Sequence, residues 1–333
     1  MKEVFVMRLG IIGTNFITDK LLEAAAHLEE VQTAAVYSRT QEKADEFAGK
    51  HGISLTYTDL EAFAASDEID AVYIASPNAL HYSQAVLCMR NGKHVLCEKP
   101  LASNYREAAE MFRIAEEEGV VLLEAIKSLF MPGFEEIREN LHKIGKVRRY
   151  VGNYCKFSSR YEAYRKGEVL NAFKRELSNG ALMDLGVYGI YPMVTLFGTP
   201  SSTRATGVLL ETGVDGEGTA FFQYDDMEGV VSFSKIHNSY APSEIQGEEG
   251  SIVIPDISTP EGMTIRYRDG SVEELPGTLS KPSMYGELKA FTNMVQEGNL
   301  SESSAAAPEH SLETACLMEE VRKQIGVVFP ADA

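Results

Sequence analysis

The stretch Gly10-Ile11-Ile12-Gly13-Thr14-Asn15-Phe16-Ile17-Thr18 decides the fold, because a predicted strand passes into a predicted helix there. In doubly wound α/β proteins a turn at this place holds a dinucleotide pyrophosphate and has the pattern G-x-G-x-x-G. Gly13 matches the first glycine, while Asn15 and Thr18 stand at the other two positions. Asn tolerates a left-handed backbone and caps helices, and Thr18 is small enough for close packing. The sequence therefore predicts a pyrophosphate site, with a plain strand-to-helix turn as the alternative; its residues are Gly13, Thr14, Asn15, Phe16 and Ile17.

Short apolar runs alternate with helical patterns on both sides of this turn, through residue 125. The predicted strands are 8–12, 33–37, 54–57, 71–76, 94–97 and 120–124. The predicted helices between them are 17–28, 41–51, 79–91 and 105–118. Strands that alternate with helices pair in parallel through right-handed crossovers, so residues 1–125 are predicted to form a doubly wound α/β domain that binds NAD(P).

The pattern changes after residue 126, where strands are separated by turn signals and not by helices. These strands are predicted at 146–157, 202–212, 217–225, 229–237, 250–254, 263–267 and 271–275. Hairpin spacing of this kind predicts an open, mostly antiparallel sheet. Helices are predicted near 181–197, 284–297 and 309–325, with a loop at 299–308, and the glycine-rich stretch 213–218 is predicted to be a hairpin loop. Residues 126–333 therefore form a predicted α+β domain for substrate binding and oligomerisation.

Composition excludes several classes of protein. Thirty-one Lys and Arg against 49 Asp and Glu give a net charge of −18, which disfavours nucleic acid and anionic membranes as partners. No apolar run approaches the ~20 residues of a membrane span, and the first eight residues do not resemble a signal peptide. Four widely spaced cysteines indicate buried thiols in a reducing compartment, and seven histidines show no metal-ligand spacing. We expect a cytoplasmic protein without a bound metal.

The end of the second predicted strand bears on the choice between NADP and NAD. A site for NAD usually has Asp or Glu there to bind the ribose 2′-hydroxyl. This chain has Ser38 and Arg39 instead, which favour a 2′-phosphate. We therefore predict NADP, with NAD as the alternative cofactor; Arg39 would in that case be a surface residue at the start of the next helix.

Two more groups of polar residues follow strands of the same predicted sheet. Ser76, Pro77, Asn78 and His81 follow the strand at 71–76. Glu98 and Lys99 follow the strand at 94–97 and precede Pro100, and an X-Pro bond there can be cis. The carboxyl ends of parallel strands are where such sheets bind ligands, so both groups are predicted to lie beside the cofactor. Taken alone, Lys99 is more typical of a surface lysine and His81 of a solvated or core histidine.

Several of these motifs, together with one in the second domain, resemble those of a known family, and the resemblance extends over essentially the whole chain. The matching motifs are Gly13-x-Asn15, Pro77-Asn78-x-x-His81, Glu98-Lys99-Pro100 and Gly180-Ala181-Leu182-Met183-Asp184-Leu185-Gly186-Val187-Tyr188. Together they are similar to the glucose–fructose oxidoreductase/inositol dehydrogenase (Gfo/Idh/MocA) family of NAD(P)-dependent dehydrogenases and reductases acting on CH–OH groups. The resemblance implies that Lys99 is the active-site lysine. It also implies that Asp184 and Tyr188 face the substrate and the nicotinamide.

Tyr188 bears on the substrate, because inositol dehydrogenase-like members have histidine there. The tyrosine resembles the glucose–fructose oxidoreductase and dihydrodiol dehydrogenase branch, so the expected substrate is a sugar or cyclic diol, with inositol less expected. Members of this fold also act as cofactor-bound regulators without turnover, and such a regulator is the alternative function. The presence of both Lys99 and Tyr188 favours the enzyme.

The spacing of Asp184 and Tyr188 suggests a mechanism. Residues four apart share a helix face, and Tyr191 is predicted to join them. Pro192 predicts a kink or a new helix start near Tyr188. A neighbouring ammonium such as that of Lys99 would favour the tyrosine phenolate. We expect Tyr188 to accept the substrate hydroxyl proton, Lys99 to stabilise the alkoxide, Asp184 to orient the substrate or the lysine, and hydride to pass to the nicotinamide.

The strand pattern of the second domain also predicts assembly. Val147, Val151, Cys155 and Phe157 give one face of a strand an apolar character, and Tyr150 and Tyr154 lie on the other. A sheet with helices on one side only would leave an apolar face exposed, and such faces usually mark interfaces. The sequence predicts a homodimer or a dimer of dimers.

Overall fold

The structure is a computed structural model of the chain and describes residues 5–298 and 307–333. Most of the predicted loop at 299–308, and the first four residues, lie outside this part. The chain divides into two compact units. The first comprises Met1–Ala102, Arg106–Ile126 and Ser280–Pro308, and the second comprises Ser103–Tyr105, Lys127–Leu279 and Glu309–Ala333. The domain limits 1–125 and 126–333 stay a prediction, and in space the segment Ser280–Pro308 groups with the first unit.

The first unit contains a six-stranded sheet among the described residues, and every strand pair in it is parallel. Its strands are β1 (Met7–Ile12), β2 (Val31–Tyr37), β3 (Leu55–Tyr57), β4 (Ala71–Ile74), β5 (His94–Glu98) and β6 (Leu122–Ala125). The order across the sheet is β3-β2-β1-β4-β5-β6. This is the order of a dinucleotide-binding Rossmann sheet, in which ligands bind outside the carboxyl ends of the strands. The predicted fold of this part is confirmed.

Five helices of the first unit connect successive strands of this sheet, and a sixth comes from a later part of the chain. The connecting helices are α1 (Phe16–Ala25), α2 (Gln41–His51), α3 (Leu60–Ala64), α4 (His81–Arg90) and α5 (Tyr105–Glu118, largely in this unit), and the later one is α9 (Tyr285–Glu297). The bounds of α2 and α5 agree with the sequence prediction. The short helix α3 was not predicted, because five residues carry too little periodicity to be distinguished from a turn. Helix α9 packs against α1, which explains why a segment so late in the chain belongs to the first unit.

The second unit contains an eight-stranded sheet within the described part of the chain, in the order β14-β13-β12-β11-β7-β10-β9-β8. Its strands are β7 (Val147–Cys155), β8 (Ser202–Leu209), β9 (Asp215–Gln223), β10 (Glu228–Ser234), β11 (Ser243–Gly247), β12 (Gly250–Ile254), β13 (Met263–Tyr267) and β14 (Val272–Leu275). All neighbours are antiparallel except β7 and β10, which are parallel. The predicted open, mostly antiparallel sheet is confirmed.

Two local predictions for this sheet were wrong. Strand β11 was missed, because Ser243-Glu244-Ile245-Gln246-Gly247 has only one large apolar residue and forms a strand by pairing with its neighbours. The stretch 213–218 was predicted to be a hairpin loop, but β9 already begins at Asp215. Gly216 and Gly218 suit a strand at this place, because the side chains of Ile236 and Phe233 occupy the space that a Cβ atom at these positions would need.

The helices of the second unit are α6 (Pro132–Asn140), α7 (Ser159–Arg165), α8 (Val187–Phe197) and α10 (Pro308–Ile325). A π-helical turn, Leu182–Gly186, leads into α8, so a new α-helix starts beside Tyr188 as predicted, and Pro192 lies inside it. Within the described residues, one helical stretch, Arg175–Phe197, is long and apolar enough by composition to span a membrane. Seventy-two per cent of its most apolar window is buried inside the fold, as in the core helix of a globular protein.

Helix α8 covers one face of the sheet. A Cβ atom on Gly189 would lie 2.5 Å from a methyl group of Val231, and the Tyr150 hydroxyl donates to the Gly189 carbonyl oxygen across 2.8 Å. On the other face, Val151 and Val230 are half-buried. Phe221 is 50% exposed, while its neighbour Phe222 is buried. The alternation shows that a single face of this sheet packs against the core.

Candidate functional site

The turn after β1 leaves no room for a side chain at Gly13. Its φ is +107°, a conformation that glycine adopts without strain. A Cβ atom there would lie 2.6 Å from the carbonyl oxygen of Ala75, at the end of β4. Such a turn exposes backbone and not side chain at the strand ends, which is what close approach of a pyrophosphate requires.

Asn15 caps the helix that follows. Its Oδ1 accepts a hydrogen bond from the Ile17 N–H (2.9 Å), and its Nδ2 donates to the Ala75 carbonyl oxygen (2.7 Å). The predicted capping is thus present, but the left-handed backbone is not, because Asn15 has φ −108° and ψ 177°. Thr18 is buried, and its hydroxyl donates to the Gly13 carbonyl oxygen across 2.7 Å. These bonds fix the start of α1, whose positive end favours an anion. Of the other predicted residues of the turn, Phe16 is exposed and Thr14 and Ile17 are half-buried.

The residues after β2 lie at the same edge of the parallel sheet. Ser38 is buried, and its backbone N–H donates to the Tyr57 carbonyl oxygen across 3.0 Å. Arg39 is exposed and lies two residues before α2. The guanidinium is therefore available to a ligand at the carboxyl ends of the strands.

His81 connects two neighbouring turns of this edge. Its Nε2 lies 2.9 Å from the Ser76 carbonyl oxygen, and its Nδ1 lies 3.0 Å from the Pro100 carbonyl oxygen. The ring is 1% exposed, and this burial lowers the pKa of His81. The hydroxyl of Ser76 donates to Gln84 Oε1 across 2.6 Å. His81 thus holds the turns after β4 and β5 together, with its ring turned into the protein.

The end of β5 carries the predicted lysine. Glu98 is buried and accepts a hydrogen bond of 2.6 Å from the Tyr73 hydroxyl, which fixes the last residue of the strand to β4. Burial, together with the Glu98 charge, raises the pKa of Tyr73 well above its ordinary value. Lys99 follows as a half-buried residue, and the Lys99–Pro100 peptide bond is cis. Pro77 and Asn78 are half-buried in the turn after β4.

In the second unit, Asp184 forms an ion pair that the sequence did not predict. Its Oδ2 lies 2.9 Å from the Nζ atom of Lys235, which follows β10 directly. The Lys235 side chain is 3% exposed and that of Asp184 is 38% exposed. Asp184 lies in the π-helical turn and Tyr188 in the first turn of α8, so their four-residue spacing spans two kinds of helix.

Tyr188 and Tyr191 have different surroundings. Tyr188 is almost fully buried, and its ring packs edge-on against that of Tyr154, with centroids 5.6 Å apart. The Tyr154 hydroxyl in turn accepts a hydrogen bond of 3.2 Å from Ser258. Tyr191 was predicted to join Asp184 and Tyr188, but its hydroxyl and that of Ser311 form a buried hydrogen bond of 2.7 Å. Tyr191 is therefore a core residue.

Asp215, at the start of β9, was also missed as a residue of this region. It is buried, and its Oδ2 accepts a hydrogen bond of 2.6 Å from the Leu182 N–H at the start of the π-helical turn. A Cβ atom on Gly180 would lie 2.0 Å from Asp215 Oδ1, so glycine is required beside it. Burial raises the pKa of Asp215 to about 6, and the backbone N–H groups and the charge of Lys235 oppose that rise. No short motif contains Lys235 and Asp215, and only the pairing of β9 with β10 brings them near Asp184.

Two protein-family models match the chain in sequence. The first, described as an oxidoreductase family with an NAD-binding Rossmann fold (GFO_IDH_MocA), matches residues 7–125. The second, the GFO/IDH/MocA C-terminal domain, matches residues 137–253. Together they cover most of both units.

Curated relatives match over nearly the full length. The scyllo-inositol 2-dehydrogenase (NADP(+)) of Bacillus subtilis (strain 168) is 56% identical over 327 residues, which is 98% of this chain and 99% of that protein. The trans-1,2-dihydrobenzene-1,2-diol dehydrogenase of Xenopus tropicalis is 31% identical over 336 residues, 96% of this chain and 98% of that protein. Among solved structures, a 3-ketoreductase from Actinomadura kijaniata in complex with NADP superposes with a TM-score of 0.82. It is 24% identical, covers 96% of this chain and 98% of its own, and so supports the fold alone.

Proposed function

The chain belongs to the Gfo/Idh/MocA family of NAD(P)-dependent oxidoreductases, which act on CH–OH groups or the matching carbonyls, and from that premise we propose that it is an NADP-dependent dehydrogenase of a cyclic polyol. The observation that carries the proposal is the edge of the parallel sheet in the first unit. There the turn at Gly13 has no space for a Cβ atom, and Arg39 and Lys99 lie just after the ends of two other strands of the same sheet. Backbone at one strand end and cations at two others suit a phosphorylated dinucleotide.

The relatives support a polyol ring as the substrate. The 56% identical relative is named for scyllo-inositol and NADP, and the 31% identical one for a cyclic diol. Both substrates carry neighbouring secondary hydroxyl groups on a six-membered ring. This is at variance with our expectation from Tyr188 that inositol is disfavoured, and we now propose an inositol or a related ring polyol as the substrate.

The residues of the predicted cofactor site carry the chemical groups that NADP would need. The Gly13 turn and the capped start of α1 would hold the pyrophosphate, and Ser38 and Arg39 would hold the 2′-phosphate. Ser76, Pro77, Asn78, Glu98 and Lys99 would line the nicotinamide end. His81 would contribute indirectly, because its ring contacts keep the turns after β4 and β5 in place.

The bound nicotinamide supplies the hydride acceptor or donor, and the chain supplies proton transfer and orientation. In the proposed oxidation, Tyr188 accepts the hydroxyl proton of the substrate, because a phenolate oxygen is a competent base once an ammonium stabilises it. Lys99 stabilises the negative charge that develops on the alkoxide oxygen. Asp184 accepts a hydrogen bond from a neighbouring hydroxyl and so orients the ring. A cofactor-binding regulator would need neither Lys99 nor Tyr188 for proton transfer, which favours the enzyme.

We propose further that the protein is a homodimer or a dimer of dimers formed through the open face of its eight-stranded sheet. Phe221 on β9, Val230 on β10 and Val151 on β7 are neighbours in register on that face. Phe221 is half exposed and the two valines are half-buried, so the row offers apolar area to a second copy.

The proposed function is tested by following NADPH absorbance with a panel of ring polyols, open-chain polyols and aldoses. We expect scyllo-inositol or another ring polyol to reduce NADP, with NAD reduced more slowly. Tyr188→Phe serves as the control for adventitious activity. Absence of turnover with every polyol in either direction, while NADP still binds, would support the regulator instead.

A further inference from the structure

We propose that Lys235 is a positioning residue of the active site, which holds the Asp184 carboxylate in place as a charged hydrogen-bond acceptor for the hydroxyl groups of the substrate. The inference rests on the proposed function, since it assigns Asp184 to the substrate. Lys235 itself is 3% exposed, so it acts through Asp184 and does not reach the substrate.

The position of the Lys235 ammonium is unusual for a lysine. Lysine is almost never fully buried unless it is paired, because an ammonium in the protein interior loses its hydration. Here Nζ lies 2.9 Å from Asp184 Oδ2 and donates to the Ala172 carbonyl oxygen at 3.3 Å. It also lies 5.6 Å from the centre of the Phe173 ring, whose face favours a cation. A carbonyl group, an aromatic face and one carboxylate therefore replace the solvent around it.

The aromatic cover over Lys235 is continuous. Tyr161 and Tyr164 of α7 stack on each other with ring centroids 5.6 Å apart, and both pack against Phe173. The Tyr164 hydroxyl accepts a hydrogen bond from the Glu211 N–H at 3.0 Å. These three aromatic rings exclude water from one side of the Lys235 ammonium. The charge of Lys235 therefore acts mainly on the carboxylates beside it.

Two carboxylates, those of Asp184 and Asp215, interact with the charge of Lys235, and they differ in exposure and in their other hydrogen bonds. Asp215 is buried, and its Oδ2 is occupied by the Leu182 N–H, so it serves the start of the π-helical turn. Asp184 lies two residues further along the same turn and is 38% exposed. Of the two, Asp184 is the one whose carboxylate reaches the solvent-accessible side. A buried cation paired with an accessible anion orients that anion for a ligand.

The geometry also separates two chemical tasks. A carboxylate paired with an ammonium accepts hydrogen bonds from hydroxyl groups, and we assign the proton transfer to Tyr188. Without Lys235, the Asp184 side chain loses an ion-pair partner that helps to fix its rotamer. We expect Lys235→Met to lower kcat/KM for the polyol by about tenfold to a hundredfold, mostly through KM, because one charge-assisted contact to the substrate is lost.

The test is a double-mutant cycle on kcat/KM with Lys235→Met, Asp184→Asn and the double variant. If Lys235 acts through Asp184, the lysine substitution has little further effect once Asp184 is Asn. Lys235→Arg keeps the charge and should recover part of the loss. Lys93→Met is the matched control, because Lys93 is also buried and bound to a backbone carbonyl, Ser66 O at 2.7 Å, in the first unit. Binding of NADP should be the same in all variants. Additive losses in the cycle, or unchanged KM in Lys235→Met, would overturn the proposal.

Thermal melting supplies a readout that needs no turnover. Asp184→Asn removes the carboxylate that is in direct contact with the buried ammonium, so it should lower Tm, and adding Lys235→Met should raise Tm again. This arm remains decisive if Lys235→Met alone does not fold. Wild-type protein that turns over no polyol would count against the proposed function. In that case a polyol-induced rise in Tm that is lost in Lys235→Met still supports the role of Lys235, and an equal rise in both proteins refutes it.

Discussion

The side-chain amide of Asn15 donates a hydrogen bond of 2.7 Å to the carbonyl oxygen of Ala75, and so joins the end of β1 to the end of β4. The same carbonyl oxygen excludes a Cβ atom from Gly13. One backbone group thus fixes both the cap of α1 and the conformation of the turn before it. The turn that we propose to bind the pyrophosphate is held in place by these contacts, even though only its first position has the glycine of the usual pattern.

Gly13→Ala should therefore damage both folding and cofactor binding. The new methyl group meets the Ala75 carbonyl at 2.6 Å, and alanine is strained at φ +107°. We expect the free energy of unfolding to fall by about 2–4 kcal/mol. The matched control is Gly49→Ala in α2, which has nothing within 4 Å of the added atom and should stabilise the helix slightly. Urea unfolding and NADP titration of both variants measure the effect; equal stability of the two variants would contradict it.

Arg39→Ala tests the cofactor preference. The exposed guanidinium after β2 would make a charge-assisted hydrogen bond to the 2′-phosphate, worth about 1.5–3 kcal/mol, so affinity for NADP(H) should fall about tenfold to a hundredfold. Affinity for NAD(H), which lacks the phosphate, should stay nearly the same. Fluorescence titration of both cofactors against both proteins is the measurement. Equal losses for the two cofactors would show that Arg39 meets a part they have in common.

Tyr188→Phe tests proton transfer. The variant keeps the ring that packs edge-on against Tyr154, so folding and NADP binding should be unchanged. Loss of the hydroxyl should lower kcat by about 10²–10⁴-fold, the usual range for a general acid–base group. Steady-state kinetics with the best polyol, together with a melting curve, measures both parts. A kcat within a few-fold of the wild type would assign the proton transfer to another group.

Asp215→Asn should change how stability depends on pH. Burial raises the pKa of Asp215 from 3.8 to about 6, so the folded protein binds this proton more tightly than the unfolded chain does. Its contribution to the free energy of unfolding is therefore largest at low pH, and it falls by about 3 kcal/mol as the pH rises through roughly 4 to 6. Asn does not ionise, so the variant should gain stability relative to the wild type over that window.

Urea unfolding at several pH values between about 2.5 and 7 measures this difference and also covers the pH range below about 4 in which the control variant changes. Asp269→Asn is the control of opposite sign, because the hydrogen bond from the Ser271 hydroxyl lowers the pKa of the exposed Asp269 carboxyl. Its stabilisation is present at neutral pH and is lost as the pH falls. A wild-type-minus-variant difference for Asp215 that does not change with pH would show that the carboxylate is stabilised as well in the folded protein as in water.

Phe221→Glu tests assembly through the open face of the sheet. The side chain is 50% exposed, and a charge in the middle of an apolar interface should dissociate the dimer with little effect on the monomer fold. Val328→Glu, at a similarly exposed residue outside the sheet, should leave the assembly intact. Light scattering at micromolar concentration distinguishes the two. If the wild-type protein is a monomer at this concentration, the proposed dimer is refuted.

Local pattern determined much of this protein. The parallel sheet was predictable from its sequence because buried strands such as Ala71–Ile74 are continuously apolar and alternate with helices at regular spacing. The same holds for the ends of α2 and α5, and for the positions of Gly13 and Lys99 at strand ends. These features depend on residues within about a dozen positions of one another, where hydrophobic periodicity carries the information.

The features that only the tertiary structure revealed depend on contacts between residues far apart in the chain. Strand β11 forms because β7 and β12 lie beside it, and β7 pairs in parallel with β10 across more than 70 residues. The Asn15 amide donates to the carbonyl oxygen of Ala75, which lies 60 residues further along the chain. Lys235 lay within the predicted strand 229–237 and belonged to no motif, and only folding buries its ammonium beside Asp184. Burial converts an ordinary lysine into a group that must be paired, and burial is a property of the packed chain, not of its local sequence.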